Sequence, residues 1–360
     1  MELRDREWRS FQIGELFFVK RPLARNKDNY DSGDVPFVAS GSVNNGVIKC
    51  CEPHDDEKLD EAGCITVSPV DGTAFYQPYP FLGRGGAGSS ILMLYAEGIN
   101  LYNGQFIARM IENTCSCKYT YGHMGNKDSI KHERIMLPVD DNDEPDYQFM
   151  EDYMKELMIA KRKQYQKYAN QRLAELSIDV KNSGGGYNFD LGSREWKSCK
   201  LSKLGKVESG RDIYAMERIE GDIPYITSGS QNNGIGYFVA NKNKTLDKGY
   251  IAFNRNGTVG LAFYHPYWSV MGSDCRKIHI YKADENIYVG LFVSTAISMQ
   301  SKYFSYSRKL GTARANKLQI MLPVNDNNEP DYDFMEECGR KMIAKKYIQY
   351  LNFLKALETI

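Results

Sequence analysis

Short apolar runs rich in β-branched and aromatic residues fill the first part of the chain, each cut off by Gly, Asn or Pro. Val35-Pro36-Phe37-Val38, Cys64-Ile65-Thr66-Val67 and Ile91-Leu92-Met93-Leu94-Tyr95 are examples, and such runs predict short strands. Asn44-Asn45-Gly46 and Asn232-Asn233-Gly234 predict tight turns, because Asn and Gly tolerate positive φ. The pattern then changes period. Helices are expected from Leu101 to about Glu112 and from Ile287 to about Met299. Phe149 to Leu176 contains no Pro or Gly and is built from Met, Glu, Leu, Lys, Gln and Ala. That composition predicts a helix of about 28 residues, roughly 42 Å long. Near the C-terminus Ile343, Tyr347, Tyr350, Leu354 and Leu357 recur at steps of four and three, the spacing of a coiled-coil seam. The earlier helix carries a less regular stripe of Tyr153, Leu157, Ala160, Leu173 and Leu176. Two such helices are expected to pack against each other.

The same pattern occurs twice, and a repeat governs how the whole fold is read. Arg6-Glu7-Trp8 returns 188 positions later as Arg194-Glu195-Trp196. At that offset DVPFVASGSVNNGV from Asp34 returns as DIPYITSGSQNNGI from Asp222, and Ala74-Phe75-Tyr76 as Ala262-Phe263-Tyr264. IMLPVDDNDEPDY from Ile135 returns as IMLPVNDNNEPDY from Ile320, followed by Phe149-Met150-Glu151 and Phe334-Met335-Glu336. Order, spacing and identity agree. The chain is therefore expected to be α+β: two similar mixed α/β domains of mainly short strands, each followed by a long helix, with the helices pairing as an antiparallel coiled coil about a pseudo-two-fold axis. The segments are domain 1–147, helix 148–178, a linker 179–193 around Ser183-Gly184-Gly185-Gly186, domain 194–332 and helix 333–360.

Composition narrows the class. Of 360 residues 42% are hydrophobic and 26% charged, as in globular proteins. Lys plus Arg and Asp plus Glu number 46 each, which disfavours a nucleic-acid binder driven by net charge, though not one whose basic residues share a face. The opening Met1-Glu2-Leu3-Arg4-Asp5 is charged, with no apolar run behind it, so neither a targeting segment nor a membrane span is expected. Eight scattered cysteines without Cys-x-x-Cys suggest reduced thiols in a cytoplasmic protein.

Motifs that suggest chemistry fail in context. Gly83-Arg84-Gly85-Gly86-Ala87-Gly88 matches G-x-G-x-x-G by letter but is followed by a strand pattern, where a dinucleotide loop requires a helix. No Asn-Pro-Pro-Tyr or Asp-Pro-Pro-Tyr is present, so the strand-end motif with which adenine methyltransferases hold a flipped base is missing. The five histidines lack metal spacing. The acidic runs from Asp140 and Asp326 precede helices, where they favour the helix dipole.

Taken together, the Arg-Glu-Trp opening, the Ser-Gly-Ser-x-Asn-Asn-Gly turn, the Met-Leu-Pro-Val…Glu-Pro-Asp-Tyr-x-Phe-Met-Glu junction and the doubled domain–helix plan resemble the specificity subunits of Type I and Type IIB-like restriction–modification systems. The resemblance implies two target recognition domains, each reading one half of a bipartite double-stranded DNA sequence. It also implies a helical spacer that docks DNA methyltransferase subunits, and contact with a restriction subunit in some systems. The chain itself would be non-catalytic and without a cofactor, S-adenosylmethionine being bound by the methyltransferase. A spacer of roughly 40 Å places half-site centres about one DNA turn apart. Two other functions compete: a repeat scaffold binding protein or carbohydrate through its 25 tyrosines, and a self-contained nuclease or modification enzyme.

If the copies share a frame but read different half-sites, shared blocks build the fold and unshared loops read bases. Arg and Lys suit guanine, and Asn and Gln suit adenine. The candidates in the first copy are Lys20, Arg21, Arg25, Lys27, Arg84, and Lys118, Tyr121, His123 and Lys127 in one loop. In the second they are Arg211, Arg218, Asn254, Arg255, Asn256, Arg276, Arg308, Lys309 and Arg314. Asn254-Arg255-Asn256 stands opposite Ser68-Pro69-Val70. The helix-pairing and partner-docking stripe is Tyr153, Leu157, Leu173, Ile343, Tyr347, Tyr350 and Leu354.

Overall fold

The computed structural model describes residues 1–86, 90–176, 190–283 and 285–357. The linker residues 179–189 and the end of the glycine-rich G-x-G-x-x-G match lie outside them. The chain divides into two compact units, Met1–Tyr165 and Gln166–Ile360.

Among its described residues the first unit holds three small sheets. Trp8–Gln12 pairs with Arg134–Pro138, bringing the two ends of the domain together. A four-stranded antiparallel sheet runs in the order Phe18–Lys20, Leu92–Tyr95, Cys64–Val67, Ala74–Gln77. A three-stranded sheet has Ser32–Val38 between Val47–Cys51 and the parallel Leu82–Gly83. In the second unit the topology repeats strand for strand: Glu195–Lys200 with Gln319–Val324; Val207–Ser209, Cys275–Ile278, Tyr250–Asn254 and Ala262–His265; and Ile235–Val239, Glu220–Ile226 and Val270–Met271. The expected turns form with Asn45 at φ 57° and Asn233 at φ 53°.

One helix per unit covers the four-stranded sheet, Leu101–Cys115 in the first and Ile287–Ser298 in the second. Its apolar face supplies Phe106, Ile107 and Ile111, or Val289, Val293 and Ile297, to the main core. Helix and sheet approach closely at Gly104 and Gly290, where an added Cβ would lie 2.3 Å from the Tyr76 ring and 2.2 Å from the Tyr264 ring. Alanine raises helix propensity by about 1 kcal/mol over glycine, but the overlap must be relieved by moving a buried ring, and overpacking costs about 1–3 kcal/mol. Gly104→Ala is therefore expected to lower stability in chemical denaturation despite the better helix former.

The repeated blocks prove to be a clamp. The Trp8 indole donates to Leu3 O at 2.9 Å, and Trp196 to Leu191 O at 2.8 Å. Arg6 donates to Asp146 and Arg194 to Asp331, at 2.8 and 3.0 Å. Each aspartate also caps the long helix that follows, accepting from the amide of Phe149 or Phe334. Asn100 and Asn286 cap the sheet-covering helices with Oδ1 and donate with Nδ2 to Glu151 and Glu336 on the long helices. Asp140 and Asn325 accept turn amides from Asn142 and Glu144, and from Asn327 and Glu329. The acidic runs thus serve both as turn acceptors and as helix caps.

The long helices are Tyr147–Glu175, 29 residues, and Tyr332–Leu357, 26 residues. The unit boundary falls inside the first. Within the second unit, the end of the first helix packs on the second helix: Leu173, Leu176 and Ala344 are buried together with Ile343, Tyr347, Ile348 and Leu351 around them. Tyr168 and Tyr347 join the same contact, hydroxyl to hydroxyl at 3.4 Å.

Three residues of the stripe lie away from the contact between the two helices. Tyr153 belongs to the first domain's core, edge-on to Phe106 at 5.8 Å. Leu157 is more than one-third exposed, and so is Tyr350. Ala344, Ile348 and Leu351 take up the packing instead. A straight helix turns 100° per residue, so a strict 3.5-residue stripe drifts off the contact line. Leu173, Ile343 and Tyr347 lie on that line, and Leu354 is buried.

Candidate nucleic-acid interface

In each unit four connections meet at one edge of the four-stranded sheet. The first follows Phe18–Lys20 or Val207–Ser209. The second closes the hairpins, through residues 68–73 or 254–261. The third enters Leu92–Tyr95 or Cys275–Ile278, and the fourth leads into the short helices Lys127–His132 and Thr312–Lys317. Backbone hydrogen bonds hold them together. Gly85 N donates to Leu23 O at 2.9 Å, and Arg211 N to Met271 O at 2.8 Å. The fourth connection is tied to the hairpin at matched positions, Gly125 N to Pro69 O at 2.8 Å and Leu310 N to Arg255 O at 3.3 Å.

On this common frame the loops differ in length and chemistry. The hairpin connection is longer in the second unit, 254–261 against 68–73. The third is longer in the first, 84–91 against 272–274. In the second unit Arg255, Lys309, Thr312, Arg314 and Lys317 line one open depression. Arg276 borders it, donating to Thr312 Oγ1 at 2.8 Å and to the Ser273 and Cys275 carbonyls. The positions equivalent to Arg255, Lys309, Thr312, Arg314 and Lys317 in the first unit are Pro69, Met124, Lys127, Ser129 and His132, a far less basic set.

Burial and hydrogen bonding separate two kinds of arginine. Arg25 is buried, pairing with Glu57 and Asp60 at 2.7 Å each and donating to the Gly83 and Lys58 carbonyls. Burial works against its charge, but the hydrogen bonds and charges of Glu57 and Asp60 outweigh it and hold the guanidinium above its ordinary pKa. Its donors are committed inside the fold, and Arg25 is removed from the reading set. Arg276 is the converse case. Burial, and then the neighbouring Arg255 charge, push it below the ordinary range, and among the described residues no carboxylate forms an ion pair with it. An anion placed over Arg255 and Arg276 relieves that mismatch.

The remaining candidates sort by the same test. Asn254 is buried, donating to Gly229 O at 3.1 Å and Thr258 Oγ1 at 2.7 Å, so it shapes the hairpin turn and is also withdrawn. Lys118 pairs with Glu133 below the loop tip. Asn256 donates to Asp274 at 3.3 Å, while its own Oδ1 is buried without a partner. Arg218 stacks on Tyr237 at 3.9 Å and donates to Ile213 O. The Lys20 amine sits over the Tyr95 ring at 4.8 Å. Arg84 is half-buried, and Arg21, Lys27, Arg211, Arg308 and Arg314 are exposed. Tyr121 and His123 sit exposed in one turn, and Lys127 begins the following short helix. Lys317 and Tyr306 join the set from the structure. Tyr306 was already visible as the repeat partner of Tyr121.

At the end of the second unit's hairpin away from that edge lies a buried histidine where the first unit has a glutamine. His265 is fully buried, its Nδ1 3.2 Å from the Tyr267 hydroxyl and its Nε2 without a partner. Burial pushes it down to about 4. Gln77 occupies the equivalent place, donating to Asn45 O at 3.0 Å and Thr66 Oγ1 at 2.9 Å. Below the unfolded value of about 6.5 the unfolded chain binds a proton that the folded chain refuses. Stability present above pH 6.5 is therefore lost as the pH falls toward 4, by about 3 kcal/mol in all at roughly 1.4 kcal/mol per unit. His265→Gln is expected to remove that loss, read as a smaller stability difference between pH 7 and pH 4.5 in denaturant titrations.

Among the described residues no group of three or more His, Cys, Asp or Glu side chains is placed to hold a metal ion. Nor is any helix among them long and apolar enough to cross a membrane.

Comparison with known proteins places this arrangement. The family profile described as "Type I restriction modification DNA specificity domain" matches residues 5–167 and again 193–351. The specificity subunit S.BcgI of a Type II restriction enzyme from Heyndrickxia coagulans is 25% identical over 344 residues, covering 94% of this chain and 95% of that protein. Among solved structures, the Type I restriction–modification S subunit from M. genitalium aligns over 100% of this chain and 95% of its own, with 16% identity and a TM-score of 0.48. The HsdS subunit from Thermoanaerobacter tengcongensis aligns over 98% and 91%, with 14% identity and a TM-score of 0.30.

Proposed function

The chain belongs to the family of Type I restriction–modification DNA specificity domains, and from that premise we propose that it reads a bipartite duplex target, one part per domain, and directs a DNA methyltransferase to it. Its role in the system is target recognition, not catalysis. The methyltransferase supplies S-adenosylmethionine and the transfer chemistry, and a restriction subunit joins where cleavage accompanies modification. The paired helices form the spacer and present the docking face for these subunits. The complex acts on cellular DNA in the cytoplasm.

The observation that carries this reading is the matched edge. Two domains with the same strand order gather the same four connections, with the fourth tied to the hairpin by a backbone bond at matched positions, yet present unlike side chains there. A duplication kept for stability alone gives no reason for unlike chemistry to concentrate at one edge. Two readers of different half-sites require it, because phosphate contacts set position while base-edge contacts set sequence.

The test is binding of labelled duplex DNA by the purified chain, with and without the methyltransferase, over a range of salt. The reading predicts affinity that falls steeply with salt and a preference for one bipartite sequence over scrambled duplexes. Salt-insensitive binding, or tighter binding to glycans or proteins than to any duplex, would point to the repeat scaffold instead. Metal-dependent cleavage by the chain alone would point to a nuclease.

A further inference from the structure

The loops of the proposed reading edge differ widely between the two domains, but the fourth connection keeps the same exposed residue in both. The fourth connection makes a tight turn in each, closed by a bridge between Thr120 and His123 in the first and between Ser305 and Arg308 in the second. Tyr121 and Tyr306 occupy the same position in these turns. They are 84% and 75% exposed, so neither ring contributes to a core. The residues around them have changed: Gly122 faces Ser307, His123 faces Arg308, and Met124 faces Lys309.

Each exposed ring is preceded two positions earlier by an aromatic that anchors the turn. Tyr119 is buried against Gly125, and Phe304 packs with the second core. One ring holds the turn and the other projects from it. The turn is fixed to the hairpin by the matched Gly125–Pro69 and Leu310–Arg255 backbone bonds. The projecting ring therefore stands on a rigid support beside the cationic edge rather than at the end of a loose loop.

A residue that reads sequence should differ between domains with different half-sites, whereas one that does the same job on any half-site should be shared. We propose that Tyr121 and Tyr306 are sequence-neutral stacking contacts, each ring pressing on a base step of its own half-site and loosening the stack there. This rests on the chain being a DNA reader. Every base offers a π-face, so stacking on an aromatic ring tolerates sequence, and side-chain wedges between base steps deform duplexes for the groups that bind them. The Lys309 amine lies 4.5 Å from the Tyr306 ring, placing a cation where a phosphate would flank the contacted step. Neighbouring Arg255, Arg308 and Arg314, or His123 and Lys127, are then left to read bases.

The experiment uses the full chain with its methyltransferase and a duplex bearing the methylated target, with 2-aminopurine placed at successive positions. Tyr121→Ala and Tyr306→Ala are each expected to lose affinity by on the order of tenfold while keeping the base preference of both half-sites. Each is also expected to abolish the 2-aminopurine fluorescence rise at positions other than the methylated adenine, whose own flipping by the methyltransferase unstacks it, in its own half-site only. Tyr121→Phe and Tyr306→Phe should keep both affinity and signal, because the ring and not the hydroxyl makes the contact. The proposal is overturned if the alanine variants bind and fluoresce like the parent, if they change base preference, or if phenylalanine fails as badly as alanine. In each of those outcomes the parent still binds its target, so the specificity reading survives. Failure of the parent to prefer any duplex would remove that reading and the stacking proposal together. Thermal unfolding of the exposed-site variants is expected to match the parent.

Discussion

Replacing Arg255 or Arg314 by alanine is expected to relax the sequence preference of one half-site and leave the other unchanged. Each lost base contact is worth about 1–3 kcal/mol, a loss of up to roughly a hundredfold in discrimination. Arg255 is one-third exposed and only loosely paired with Asp274, at 3.4 Å. The Arg314 guanidinium is exposed and donates to the Lys309 carbonyl, which fixes its direction. Both line the same depression with Lys309 and Lys317. A guanidinium positioned in this way can offer two parallel donors to guanine O6 and N7. The measurement is competition binding against duplexes substituted one base pair at a time, repeated at several salt concentrations. A uniform loss across all sequences, with a salt dependence shallower by about one ion per arginine, would assign these residues to phosphates.

The second large effect is on stability. Arg25→Met is expected to destabilise the first domain by about 3–5 kcal/mol, because Glu57 and Asp60 lose the cation that neutralises them in a mostly buried setting. The side chains of the arginine, the glutamate and the aspartate are only 2%, 14% and 15% exposed, and the Tyr30 hydroxyl completes the group by donating to Glu57 at 2.9 Å. Denaturant titration should show the loss. Under strongly folding conditions the variant should retain the parent's sequence preference, since Arg25 has no donor facing outward. An Arg25→Met protein as stable as the parent but altered in recognition would return this arginine to the reading set.

The architecture was legible because the duplicated blocks are the structural ones. Arg6, Trp8, Asp146 and Phe149 recur as Arg194, Trp196, Asp331 and Phe334, and these residues tie the terminal strands to the long helix. The Asn-Asn-Gly turns and the two Asn helix caps are local features, set by residues within a few positions of one another. Side-chain fate at the edge was less legible. Arg25 and Arg276 look alike in sequence, but carboxylates 32 and 35 residues away claim the first, whereas hydroxyl and carbonyl groups hold the second. Asn254 was drawn into the turn by Thr258 and Gly229, contacts that depend on hairpin length. The helix seam was legible as a stripe but not in register, because a straight helix drifts off a 3.5-residue repeat and Ala344, Ile348 and Leu351 take up the packing.

The central claim is that twin domains on one frame each specify one part of a divided DNA target. Sequencing the methylated positions in cells that carry the chain with its methyltransferase tests it most directly, for the parent and for a variant whose residues 254–261 and 305–317 are exchanged for those of a relative. The account predicts a two-part motif with unspecified bases between, in which the exchange rewrites one part and leaves the other and the gap intact. A single contiguous motif, or an exchange that alters both parts together, would contradict it.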